Sequence, residues 1–443
     1  MDIVDNNVNI TKYINNNDKR HVLLSNNIAY WLKLNAKYFN KENKQIINKY
    51  KKIINQKDIN TIIKCTKYNI NVVPILYQLD NNDVNLLIEE AFKHANINMI
   101  KYINNYIKIN RKLIVKLTPY LNISVVKYLH KEIKLTRQDF QSDNNYVCRE
   151  ACKNGNISVV KYLHQKIKLT RQDFQSDNNY ACRGACEKGH LNVVKYLHRE
   201  IKLTIQDFQS DGNYACLWAC SNGNINVVKY LHQEIRLSKH DFQSHSNLAC
   251  TWACENGHID VVKYLHQEIG LTNQDFQLDQ NSACRWACLR GHLNVVKYLH
   301  REIKLSRENF QTFNNLACRW ACENGYIDVV KYLHKEIGLT KQDFQSNDNE
   351  ACQWACEYGN IDIVEYLHQE IGLTKEDFQS DDNYACKKAC KNGCIDVVKY
   401  LHQEIGLTKG DFQANNNYAY YNALENKHHN VIEYLLNEIN ILS

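Results

Sequence analysis

Eight segments of the chain carry two cysteines four residues apart, from Cys148/Cys152 through Cys386/Cys390. On a helix that spacing puts both sulfurs on one face, where they could hold a metal or exchange as a redox pair. Nine histidines recur in phase with them: His130, His164, His198, His232, His266, His300, His334, His368 and His402. Cys250 and Cys254 with His258 and His266 could be imagined as four zinc ligands. The pattern argues against it. The place of His258 holds His again at 190 and 292, but Asn156, Asn224, Tyr326, Asn360 or Cys394 elsewhere, and a metal-selected array would not drop a ligand so often. Disulfides within one helix have poor geometry. A catalytic group is usually unique, whereas these recur in nearly every segment. The sequence shows no nucleophile elbow, phosphate loop, His-Glu-x-x-His or dinucleotide fingerprint. We therefore expect no catalytic, metal-binding or cofactor-binding residues and no enzyme.

The elements that carry these residues repeat. Asp-Phe stands at Asp139-Phe140, Asp173-Phe174, Asp207-Phe208, Asp241-Phe242 and Asp275-Phe276. Asn309-Phe310, Asp343-Phe344, Asp377-Phe378 and Asp411-Phe412 follow, each 34 residues after the last. The segment VVKYLH of 125–130 returns in the same phase. Such a fixed period means one supersecondary motif copied in tandem, each copy burying its apolar face on its neighbour.

One repeat, 247–280, predicts its own anatomy. Ala249, Cys250, Ala253 and Cys254 make a small-residue face on a short helix, Leu248 to Asn256. Asn256-Gly257 ends it, Gly supplying the left-handed conformation. Ile259, Val261, Val262, Leu265 and Ile269 form the apolar stripe of a second helix, His258 to Ile269. Gly270 stops that helix. Lys202 and Arg236 stand in the same place in other repeats, where a cation suits a helix C-terminus. Thr272 through Asp275 has the form of a capping box, with Phe276 as an anchor into the core.

The string Ala-Cys-x-x-Ala-Cys-x-x-Gly-His-x-x-Val-Val-x-x-Leu resembles the ankyrin repeat. Gly155, Gly189, Gly223, Gly257, Gly291, Gly325, Gly359 and Gly393 lie over that family's turn glycine, and each Cys lies where its pattern has a buried Leu or Ala. The resemblance covers ten copies and implies an all-α, ankyrin-type helix-turn-helix solenoid with 34-residue repeats. Departures are regular: the Thr-Pro opening is absent, and the period is 34 rather than 33, which puts the family's β-hairpin fingers in question. A tetratricopeptide-type solenoid is the alternative, disfavoured by the Gly-His turn and the short first helix. The Cys-rich style, in a chain rich in Asn, Ile, Lys and Tyr, looks like the ankyrin arrays of large DNA viruses that infect amoebae.

We read three regions: 1–58, a divergent helical part; 59–112, two degenerate short repeats marked by Cys65 and Phe92; and 113–443, the array with a polar capping repeat at its end. No apolar run is long enough to span a membrane, and no secretory signal is visible. With 18 Cys in 443 residues, reduced thiols in an intracellular, cytoplasmic protein are expected, in host cytoplasm if the chain is viral. Residues 1–120 hold 19 Lys and Arg against 9 Asp and Glu. These cations are diluted with Asn, so nucleic acid is a poor candidate partner.

Function in an array should lie where the repeats differ. Five consecutive repeats place Trp two residues after the first Cys: Trp218, Trp252, Trp286, Trp320 and Trp354. The resemblance implies that this helix lines the concave side of the solenoid. A Trp ladder flanked by Arg285 and Arg319 suits a binding hot spot. The alternative is that this position packs between neighbouring repeats. The expected function is a monomeric, non-enzymatic scaffold for an unidentified protein partner. The alternative is a substrate-recruiting adaptor of a ubiquitin ligase, with residues 1–58 docking the ligase.

Overall fold

The structure, a computed structural model, describes residues 88–442 apart from 98, 99, 102, 103, 105–108 and 110. The expected region 1–58, the marker Cys65 and most of 59–112 lie outside the described residues. Within 59–112, Phe92 and Ile100 are fully buried. Among the described residues there are helices and turns but no strand. The chain divides into two compact bodies, 1–207 and 208–443.

Both bodies use the same repeat. In 208–443 it is seen in Ser244–Glu255, Ile259–Gln267 and the start of Asn273–Leu289. The first helix presents Ala249, Cys250, Ala253 and Cys254, all fully buried. Small side chains let the first helices of successive repeats approach closely, and each also packs on its own second helix. Val261, Val262, Tyr264 and Leu265 form the buried stripe of the second helix. That helix is shorter than its sequence stripe. His258 is its N-cap and Glu268 its C-cap, while Ile269 is buried in the turn beyond. In 1–207, Ser176–Glu187 and Leu191–Arg199 repeat the arrangement.

Next comes the capping box. The Thr272 amide and hydroxyl both donate to Asp275 Oδ2, at 2.6 and 2.9 Å. Phe276 behind it is buried, and burying such a ring contributes about 1.5–3 kcal/mol. No hairpin finger follows. Instead Asp279, Gln280 and Asn281 all take positive φ, at 50°, 54° and 61°, making one left-handed turn before the chain re-enters a right-handed helix. The same triplet occurs from Asp143–Asn145 to Asn415–Asn417. L-residues avoid this region at roughly 1–2 kcal/mol each, Asn and Asp least. The third position is Asn in all nine turns: 145, 179, 213, 247, 281, 315, 349, 383 and 417. In sequence this stretch is polar and varied, with the signature of a loop. It is a fixed backbone device.

Successive repeats within each body are joined by two polar ladders. The first meets on the capping-box carboxylate. In 1–207, Gln141 Nε2 donates to Asp173 Oδ1 at 2.7 Å and Arg137 to Asp173 Oδ2 at 2.9 Å. In 208–443, Gln243 donates to Asp275, Gln311 to Asp343 and Gln345 to Asp377, each at 2.7 Å. Burial would push the Asp173 and Asp343 carboxyls up. The hydrogen bonds from Thr, Gln and Arg outweigh burial and hold both below the usual range. The second ladder pairs the recurring His with a Tyr 32 residues on. His130 Nδ1 and the Tyr162 hydroxyl share a hydrogen bond of 3.0 Å, and His300 and Tyr332 another of 3.0 Å. Phe140 and Phe310 meet these imidazoles edge-on. Burial pushes His164, His300 and His334 below the ordinary value of 6.5.

Two glycine positions differ in kind. At Gly257, φ is +74°, and an added Cβ would meet His292 Nδ1 at 2.5 Å. The turn histidine thus sits on the glycine of the preceding repeat. At Gly270, φ is +79° with open space around it, and Lys202 (65°) and Lys304 (63°) adopt the same sign. The backbone sets this position. The dipole argument for a cation there misses the left-handed requirement.

These placements predict two stability results. Lys304→Gly should raise the urea midpoint and Gly270→Ala lower it, each by up to about 1 kcal/mol. Gly257→Ala, which adds a collision, should cost more. The histidines, lowered by burial, favour the neutral folded state, so their contribution is complete above about pH 6.5 and lost as pH falls through their lowered values. The lowered carboxylates contribute above about pH 3.8 and lose that as pH falls through theirs. Thermal unfolding followed by circular dichroism should therefore weaken in two separate acid stages. A single stage confined to the lower range would contradict the histidine assignment.

Candidate functional site

Sixteen cysteines of the array, Cys148 through Cys390, are buried free thiols, and Cys394 is half-buried. Cys182 shows what the first of each pair does. Its Sγ donates to Asn179 O at 3.2 Å and to Asp207 O at 3.4 Å, a carbonyl of the left-handed turn and one at the next capping box. Cys284 repeats this with Asn281 and Asn309. A thiol here adds a donor to both carbonyls from a small buried side chain. Burial pushes Cys182 and Cys284 up to about 12 and Cys152 well above its usual value. Such thiols are neutral near pH 7 and poor nucleophiles.

The imagined zinc ligands do not converge. The His258 ring lies against Gly223, while His266 engages Tyr298 and Phe276. Among the described residues no group of three or more His, Cys, Asp or Glu is placed to hold a metal ion.

The Trp positions lie on consecutive first helices of 208–443. Trp218, Trp252, Trp286, Trp320 and Trp354 are all half-buried, although the Ala and Cys beside them are fully buried. The Trp286 and Trp320 rings are 5.5 Å apart and tilted by 35°. Each indole is thus partly covered by its neighbours and partly open to solvent.

Arg285 and Arg319 are placed differently from the flanking role expected of them. Both are buried. Arg285 Nε and Nη2 each donate at 3.1 Å, to Gln280 O and Asp279 O of its left-handed turn. Arg319 donates likewise to Asn314 O and Phe313 O, at 3.0 and 2.8 Å, and pairs with Glu350. Their guanidiniums still present flat faces: Arg285 stacks 4.5 Å from the Phe313 ring and Arg319 5.6 Å from the Trp354 ring. Gln353 reaches Asp348 O at 2.7 Å from the same position. This residue secures the turn, and the Trp after it shapes the surface.

Two further aromatics are exposed: Phe313, which stands out in sequence among the varying turn residues, and Tyr358, which periodicity does not single out. Phe313 and Tyr358 are 47% and 58% exposed. Phe313 occupies a left-handed position where other repeats have Asp, Asn or His, and that departure was legible. The last repeat also departs from the polar cap expected of it: Tyr421 and Leu424 are 55% and 49% exposed.

A family model described as ankyrin repeats (three copies) matches residues 183–275, 217–309, 250–348, 285–377 and 353–443. Together these matches cover 183–443. No curated protein matches the chain.

Iodoacetamide footprinting tests the thiol placement. The sixteen buried thiols should resist alkylation in the native protein and react on denaturation, with Cys394 labelling ahead of them. Rapid native labelling of Cys182 or Cys284 would contradict their burial.

Proposed function

The chain belongs to the ankyrin-repeat family, whose repeats are general protein-interaction modules, and from that premise we propose that it is a non-enzymatic scaffold that holds a protein partner. The partner surface is the first-helix face centred on residues 216–356, the face that lines the concave side in this family. The observation that supports it is the run of five half-buried tryptophans on consecutive helices. Large aromatic rings fixed by neighbours, with an edge left in water, combine apolar area with low ordering entropy. Phe313 and Tyr358 extend the surface. Arg285 and Arg319 lie behind it, stack on Phe313 and Trp354 and hold the turns that position it. No helix among the described residues is long and apolar enough to cross a membrane. Buried free thiols suit a reducing, intracellular compartment, the host cytoplasm if the array is a viral one.

Affinity capture followed by mass spectrometry would supply the partner, and the triple variant Trp252→Ala/Trp286→Ala/Trp320→Ala tests the surface. Each hot-spot truncation typically costs about 2 kcal/mol or more, so the variant should lose at least about a hundredfold in affinity. Its circular dichroism should stay native. Undiminished capture by the folded variant would remove the tryptophans from the interface. Ubiquitin-ligase subunits in the capture, lost on deletion of 1–58, would indicate the adaptor role.

A further inference from the structure

The array carries a recurring ion pair between successive second helices. Arg301 meets Glu336 at 2.9 Å, and Lys335 meets Glu370 at 3.2 Å, the partners standing 35 residues apart. In 1–207 the same two positions are Lys131 and Lys166. Lys166 is the one break in a column of glutamates that runs Glu132, Glu200, Glu234, Glu268, Glu302, Glu336, Glu370, Glu404 and Glu438. A position that supplies the anion elsewhere supplies a second cation here.

Both lysines line one groove of about 730 Å³ between Ile123–Lys131 and Ile157–Gln165. Lys127 and Lys161 line it too, together with Ser158 and no carboxylate. All four lysines are exposed, and among the described residues none makes an ion pair. Ser158 stands where later repeats have Asp260, Asp328, Asp362 or Asp396. One acidic position of the common repeat, the glutamate, is thus vacated at this groove; the Ser158 position is neutral in other repeats too, as at Ser124, Asn192, Asn226, Asn294 and Asn430. Lys161 Nζ lies over the Tyr196 ring at 5.7 Å, whereas among the described residues Lys127, Lys131 and Lys166 have no such neighbour. These three ammoniums repel one another, and an anion seated among them would relieve that.

We propose that this groove binds a small, phosphate-rich anion. Its volume is of the order of ordinary ligand pockets, about 300–1,000 Å³. Matching the three unengaged cations in that space needs about three negative charges on one compact molecule. Linked phosphates carry that density, whereas a peptide of equal charge needs several acidic side chains spread along a backbone. Lysine serves phosphate as a point charge with three donors. Ser158 adds a hydroxyl donor at the edge.

The test is titration of the full chain with inorganic tripolyphosphate by calorimetry, with a parallel thermal-shift series. The wild-type chain should bind saturably, weaken with salt and melt at a higher temperature when loaded. Lys166→Glu restores the Arg301/Glu336 arrangement, so this variant should fold at least as well as wild type. It should lose at least about tenfold in affinity, close to 1.4 kcal/mol, and its thermal shift should vanish. Lys331→Glu makes the same charge change on a second helix of 208–443 and should bind as wild type does. Equal affinity in Lys166→Glu, an equal loss in Lys331→Glu, or no saturable binding would each overturn the proposal. So would tighter binding of hexaglutamate. Capture only by vesicles containing phosphatidylinositol bisphosphate, without competition from tripolyphosphate, would overturn assignment to a free anion.

Discussion

A carboxylate placed inside a protein must find its donors or be expelled, and the Asp of each capping box finds them in two repeats at once. Its own Thr or Ser supplies the amide and hydroxyl, and the preceding repeat supplies a Gln and often an Arg or Lys. Neither repeat satisfies it alone. Unpaired buried charges are expensive, so the carboxylate sets the register of one repeat on the next within each body. The apolar stripes supply most of the driving force but would tolerate sliding. The Asp–Gln–Thr cluster does not, because its hydrogen bonds need fixed distances and directions. Gln413, at the same position in a later repeat, donates to the Ile441 carbonyl at 2.7 Å.

Sequence reasoning read the regular parts well because they follow periodicity. The small-residue helix, the glycine turn, the aliphatic helix, the capping box at Thr272–Asp275 and the Phe276 anchor are all patterns of spacing, and all are present. The left-handed turn escaped because a run of three positive φ values has no apolar period. Its signal was the Asn recurring at every third position of the turn, masked by the general abundance of Asn. The cation at Lys202 was misread for a related reason: composition suggests charge, but φ decides the position.

The candidate surface was half legible. The five tryptophans were visible as a departure from sameness, and the structure leaves each half in water. Arg285 and Arg319 were visible too, but their role depends on carbonyls that only the left-handed turn aims at them. Variation among repeats therefore comes in two kinds. Some of it, as at Leu217, Thr251, Arg285, Arg319 and Gln353, gives different buried solutions behind one surface. Some of it, as at Phe313 and Lys166, changes what the surface offers. Variability alone does not separate the two, and burial does.

One joint in the second body lacks the common charge. Asn309 stands where the other repeats have Asp, yet it keeps the cap: Ser306 N donates to its Oδ1 at 2.8 Å. Its Nδ2 donates to Asn281 Oδ1 at 3.0 Å. The equivalent oxygens of Asn247, Asn315 and Asn349 have no such partner among the described residues. This joint gives up a charge-assisted bond from Gln277, now 3.4 Å, and gains indifference to protons. In acid the joints on Asp275, Asp343 and Asp411, where burial is outweighed by hydrogen bonds that hold the carboxyls below the usual range, loosen while this one has no proton to take up. The second body would then come apart toward residues 277–309, an order of disassembly set by one missing negative charge.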